Sequence, residues 1–258
     1  MDLHLRGKRA LITGASRGIG AAIAEVLAEE GCDLDLVARG GAELDKLAFR
    51  LRSDHGVDVS THVVDLRQGD DLDRFAAAVP VPDVLVNNAG DIPGGPLAAV
   101  DEQAWRHGWE LKVFGYINLT RHLYARMKER GHGVIVNNIG ASGEGYDANY
   151  IAGSTGNAAL MTFTKALGGH SLRDGIRVVG VNPGPVATER ILTLMKAQAR
   201  ARFGDESRHA ELAAMFPLGR AAGPREVADL VAFLASDRSA YTTGAVFTID
   251  GGVSAAGL

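Results

Sequence analysis

The chain has 258 residues, 46% of them hydrophobic, with a net charge of −4, one cysteine and eight histidines. That length suits one large α/β domain or two small ones with a sizeable core, and the charge excludes nothing but a strongly basic nucleic-acid or membrane surface. Cys32 alone rules out an internal disulfide and fits a reducing compartment, while the histidines show no ligand spacing, so no metal is expected.

Arg9 to Ile12 reads as a short buried strand, and Ile23, Val26 and Leu27 recur at helical spacing just after it. Between them stands Gly14-Ala15-Ser16-Arg17-Gly18-Ile19-Gly20, with glycines at Gly-x-x-x-Gly-x-Gly spacing. A strand that turns into a helix through glycines aims free N–H groups and a helix N-terminus at one point, which attracts phosphate. Gly14 permits the tight turn, Gly18 lets a pyrophosphate come near, and Gly20 lets the helix pack on the sheet.

Strands and helices then alternate to the end. A strand over 33–38 precedes a helix over 42–53, and a strand over 57–64 precedes a helix over 71–78. The fourth strand, 84–87, leads into a long helix over 101–130, and the fifth, 134–139, into another over 149–172. A sixth strand covers 177–181, residues 188–216 are helical but polar and irregular, and a helix over 225–236 precedes a closing strand over 245–249. With no linker or repeat, this alternation predicts a single α/β domain: a doubly wound Rossmann fold with a seven-stranded parallel sheet and helices on both faces. No apolar run approaches the roughly 20 residues of a membrane span. The opening Met1-Asp2-Leu3-His4-Leu5-Arg6 lacks a signal-peptide core, so a cytoplasmic protein is expected.

The glycine loop resembles the cofactor loop of the short-chain dehydrogenase/reductase family, NADP-dependent members such as 3-oxoacyl-ACP reductases among them. Further matching motifs are Asn87-Asn88-Ala89-Gly90, the segment Val181-Asn182-Pro183-Gly184-Pro185-Val186-Ala187-Thr188, Thr243-Gly244-Ala245 and Asp250-Gly251-Gly252. The resemblance covers nearly the whole chain. It implies that Asp65, followed by Leu66, meets the adenine edge. It also implies that the backbone of Asn88, Ala89 and Gly90 lines the cofactor. Pro183, Gly184 and Val186 then form the nicotinamide-side loop, with Thr188 reaching the cofactor amide. In folds of this kind an acid about 20 residues past the loop binds the adenosine ribose hydroxyls. Here Ala38 holds that place, Arg39 follows, and Arg17 lies in the loop, while Asp33 and Asp35 come too early in their strand. Two guanidiniums and no carboxylate suit a 2′-phosphate, so NADP(H) is expected over NAD(H).

The family's proton chemistry uses Ser, Tyr and Lys, with an Asn on the long helix before the fifth strand. The gapless register puts Gly140 in the Ser place, Gly153 in the Tyr place, Asn157 in the Lys place and Lys112 in the Asn place. A second register anchors on Tyr150, but Ser154 stands four residues on where Lys belongs. The gapless register fits both flanks and is preferred. In it Lys and Asn have exchanged places, so an acid–base site can be rebuilt from Tyr150, Lys112, Ser142 and Asn157. Tyr150 and Tyr146 packing the loop, Ser142 serving a turn and Lys112 snorkelling to solvent make the competing reading.

By resemblance, 188–216 is a lid. Ile191, Leu192, Leu194, Met195, Met215 and Phe216 offer apolar cover, and its charges are balanced. The family also implies a homotetramer built on the two long helices and the final strand. Two functions follow. One is an NADP(H)-dependent oxidoreductase acting on a small-molecule carbonyl or alcohol through an altered catalytic group. The other is a non-catalytic NADP(H)-binding sensor or scaffold. Neither needs nucleic acid or a membrane.

Overall fold

The computed structural model describes residues 1–214 and 216–256. Its strands are β1 (Arg9–Thr13), β2 (Asp33–Ala38), β3 (Val59–Val63), β4 (Val84–Asn87), β5 (Gly133–Asn138), β6 (Ile176–Pro183) and β7 (Val246–Ile249). All pair in parallel, in the order β3-β2-β1-β4-β5-β6-β7. The helices are α1 (Gly18–Glu29), α2 (Gly41–His55), α3 (Gly69–Ala78), α4 (Glu102–Trp109), α5 (Gly115–Arg130), α6 (Ser142–Gly145), α7 (Ile151–Ser171), α8 (Glu189–Phe203), α9 (His209–Ala213), α10 (Pro224–Ala235) and α11 (Val253–Ala256). The single doubly wound domain expected from the alternation is the fold observed.

Strand side chains alternate between two cores because successive residues point to opposite faces. Ile12, Leu36, Val86, Val136 and Val179 join Ile23 and Leu27 of α1, Leu44 of α2 and Val231 of α10. Leu11, Val37, Leu85, Ile135 and Val178 face the other way, onto Leu72 and Phe75 of α3 and Leu119 and Leu123 of α5. Each such fully buried side chain contributes roughly 1.5–3 kcal/mol, so a shift of register on any central strand would exchange two cores at once.

The chain order reverses between β1 and β4. β1 is followed outward by β2 and β3, whereas β4 begins the run toward β7. A crevice forms beyond the carboxyl ends of strands at such a switch point.

Four details depart from the expected elements. The helix over 101–130 is broken by a π-helical turn, Glu110–Phe114, that joins α4 to α5. β3 is shorter than expected, leaving Val57 and Val64 outside it, and as an edge strand it leaves Val63 exposed. Tyr150 caps α7 with φ −134° rather than lying within it. Residues 142–145 and 253–256 form short helices that the apolar period does not announce. In the lid segment, Ile191, Met195, Ala199, Phe203, Leu212 and Phe216 pack on one another, while Leu192 and Leu194 are exposed. Met215 lies outside the described residues. Among the described residues no helix is long and apolar enough to cross a membrane, and no cluster of His, Cys, Asp and Glu could hold a metal ion.

Candidate active site

A cleft of about 930 Å³ opens at the switch point. One wall is the first loop, with Gly14, Ser16, Arg17, Gly18, Ile19 and Gly20. Gly14 and Gly18 take left-handed φ of 66° and 59°. A Cβ at Gly14 would stand 2.9 Å from the Cα of Ala89, so the loop packs backbone to backbone on the end of β4. The Thr13 hydroxyl accepts the N–H groups of Asn88 and Ala89 at 2.9 and 3.0 Å, and Asn88 Nδ2 donates to the Thr13 carbonyl at 2.9 Å. The Asn88 side chain is thus spent on fastening β4 to β1, and Asn88, Ala89 and Gly90 line the cleft. Thr188 closes the far side, its Cγ2 3.3 Å from where a Cβ at Gly18 would stand.

At the end of β2, Ala38 and Arg39 line the cleft, as does Leu66 after β3. Arg17 donates to Glu189 at 3.1 Å, both side chains largely exposed. Asp35 is buried under Arg9 at 3.3 Å and His62 at 2.8 Å, which removes its carboxylate from the cleft. Glu43 lines the cleft but pairs with Lys46 at 2.9 Å. Glycines of the first loop with Arg17 and Arg39, and Arg190 further along, therefore line a space of dinucleotide size, a donor set that fits phosphate groups.

Asp65, Pro183, Gly184 and Val186 are not walls of the cleft. The Arg67 guanidinium, 2.9 Å from Asp65, holds that carboxyl below the usual range. The Pro183 carbonyl accepts from Ala141 N–H at 2.9 Å, Gly184 N–H donates to the Ile249 carbonyl at 3.0 Å, and Val186 bridges Ala222.

The candidate proton groups come from three elements. Lys112 sits on the π-helical turn, a distortion that recurs at functional sites. Its stem crosses Gly90, where a Cβ would stand 2.9 Å from Lys112 Cδ, and its ammonium donates to the carbonyl of Ile139 at the end of β5. The ammonium is turned inward. Burial, reinforced by the charge of Arg190, pushes it down to about 7. Asn157 is 2% exposed, and its Nδ2 donates to the Ser142 hydroxyl at 2.8 Å. The same Nδ2 stands 2.9 Å from where a Cβ at Gly140 would be, so Asn157 fills the space over Gly140. Asn157 Oδ1 is buried without a hydrogen-bond partner. The Tyr150 ring lies where a side chain at Gly153 would begin, so only glycine fits there. Among the described residues no hydrogen bond joins Tyr150 to Lys112 or Ser142. Instead Arg190 Nη2 donates to the Tyr150 hydroxyl at 3.2 Å.

The sequence model of the family described as "Enoyl-(Acyl carrier protein) reductase" matches residues 14–254. A cis-4-hydroxycyclohexanecarboxylate dehydrogenase from Sinomonas cyclohexanicum is 37% identical over 253 residues, covering 95% of this chain and 96% of its own. The 3-oxoacyl-acyl-carrier-protein reductase of Escherichia coli is 33% identical over 255 residues, covering 97% and 99%. This chain belongs to the short-chain dehydrogenase/reductase family. Among solved members, L-sorbose reductase from Gluconobacter frateurii, complexed with NADPH and L-sorbose, superposes with a TM-score of 0.89 at 33% identity, covering 97% of this chain and 98% of its own. An NAD+-bound xylitol dehydrogenase superposes with a TM-score of 0.89 at 26% identity, covering 96% and 100%. The short-chain dehydrogenase/reductase frame makes Arg190 conspicuous. It stands in the first turn of α8 and lines the cleft, yet its charge reads in sequence as one of a balanced set on the lid. Only the 40-residue spacing to Tyr150, closed by the fold, shows its partner.

Proposed function

We propose that this chain is an NADP(H)-dependent oxidoreductase that moves hydride between nicotinamide and a carbonyl or alcohol carbon through an atypical proton relay. One observation carries the reading: a phenol, Tyr150, is folded over the glycine that holds the family's tyrosine place, with a guanidinium on its hydroxyl. NADP(H), when bound, supplies or accepts the hydride. The amides of residues 14–20 hold the diphosphate, and Arg17 and Arg39 hold the 2′-phosphate. Leu66 edges the adenine, with Asp65 behind it on Arg67. Asn88, Ala89, Gly90 and Thr188 shape the nicotinamide side, and Pro183, Gly184 and Val186 support that wall from behind.

Tyr150 gives the proton, Ser142 holds the substrate oxygen with Asn157 fixing its hydroxyl, and Lys112 supplies positive charge. Burial pushes the Tyr150 phenol up, against the pull of Arg190. A phenol with a raised pKa stays protonated at neutral pH, so it is present as the donor that carbonyl reduction needs and not as the phenolate base that oxidation needs. Residues 188–216 act as the lid that excludes water. A homotetramer through α5, α7 and β7 is the proposed assembly, tested by mass in solution, and the cytoplasm is the proposed compartment.

The exchange of all four family positions for Lys112, Gly140, Gly153 and Asn157 favours a second reading, a nucleotide sensor without turnover. One experiment separates the two. NADPH consumption is measured against a panel of ketones, aldehydes and acyl thioesters, for the wild type and Tyr150→Phe. The enzyme reading requires turnover that falls by about 100-fold or more in the variant. NADPH binding without consumption across the panel would leave the sensor. Turnover undiminished in Tyr150→Phe would move the proton donor elsewhere.

A further inference from the structure

The rebuilt site lacks its usual cation. Asn157 is neutral, and its amide is committed to Ser142 at 2.8 Å. Lys112 is committed to the Ile139 carbonyl and is not hydrogen-bonded to Tyr150. Among the described residues, the guanidinium on the phenol is that of Arg190, in the first turn of α8. Arg190 is fixed by three acceptors: the Tyr150 hydroxyl at 3.2 Å, the Ile92 carbonyl at 2.7 Å and the Asp91 carboxylate at 3.1 Å. Ile92 and Tyr150 pack together with Val100, Trp105 and Trp109, so the phenol has an apolar back wall. The charged and titratable groups around it are Arg190, Asp91 and Tyr116.

We propose that Arg190 is the positioning cation of Tyr150, taking from the lid helix the role for which residue 157 has no charge. It stabilises the phenolate that remains after the proton leaves and fixes the direction of the hydroxyl. Because Arg190 lies two residues beyond Thr188, at the start of the lid segment, the proton-transfer group is complete only when that segment is seated against Asp91 and Ile92. Two of its three anchors, the Ile92 carbonyl and Asp91, belong to the strand of chain after Gly90 that walls the same cleft. Cleft closure and acid–base competence are then one event. Burial pushes the phenol up and Asp91 adds to this, while Arg190 opposes both.

This inference rests on the oxidoreductase reading for its purpose, but its test does not need a substrate. The full chain carries 3,5-difluorotyrosine at position 150, whose phenol ionises near neutrality, and is followed by fluorine NMR. Arg190→Met should raise the ionisation by about one pH unit or more, and Arg190→Lys should fall between that variant and the parent. Superposed titrations of parent and Arg190→Met would overturn the proposal. The shift present without any turnover would sink the oxidoreductase reading alone. Turnover present without the shift would sink only the role given to Arg190.

Discussion

Lys112 shows how much one side chain can owe to its surroundings. Its ammonium is pushed down from 10.5 to about 7 by burial. Between those values the unfolded chain binds a proton that the folded chain does not, so this residue makes stability rise as pH climbs from 7 toward 10. In Lys112→Met that contribution is gone. Calorimetric melting from pH 6 to 10 should therefore show the wild type gaining on the variant as pH rises, by roughly 1 kcal/mol or more, about 2–4 °C. Parallel profiles would mean that the ammonium titrates as if in water. The glycines at 14, 18 and 20 are legible in sequence because only a backbone need, a left-handed turn or a close approach, calls for that residue type at that spacing. The Arg190–Tyr150 contact is not legible, since a guanidinium and a phenol 40 residues apart carry no local sign of each other. Asn157 is intermediate: the gapless register marks it as a candidate, while its hold on Ser142 needs α6 to be in place.

At the scale of elements, apolar runs locate the central strands β1, β2, β4, β5 and β6 because these are buried on both faces, while the edge strands β3 and β7 are only partly buried. The helical period does not reveal the π-helical turn within 102–130. Nor does it foresee how α10 ends. Arg177 at the start of β6 is 6% exposed and donates to the carbonyls of Leu234, Ala235 and Ser236 at 2.8, 3.2 and 2.9 Å. A helix C-terminus leaves carbonyls without partners, and here a buried guanidinium satisfies them from a neighbouring strand. Burial pulls the Arg177 pKa down, yet the group keeps its charge. Arg177→Met should cost about 3 kcal/mol, read as a lower urea midpoint with an unchanged slope. A midpoint within experimental error of the wild type would show that water satisfies those carbonyls instead.

For the whole molecule, the parallel sheet and its order reversal between β1 and β4 bring residues from five separate loops to one crevice. That convergence explains why the cofactor side of the site can be read from short motifs at strand ends. The candidate proton groups depend on α6, α7, α8 and the π-helical turn meeting in space, which no short motif announces. The account stands on the claim that the crevice beyond β1 holds NADP(H). Isothermal titration of the full chain with NADPH and with NADH tests it most directly. It predicts saturable binding of one NADPH per chain, about tenfold or more tighter than NADH. Absence of heat with both, at concentrations reaching the millimolar range, would contradict it.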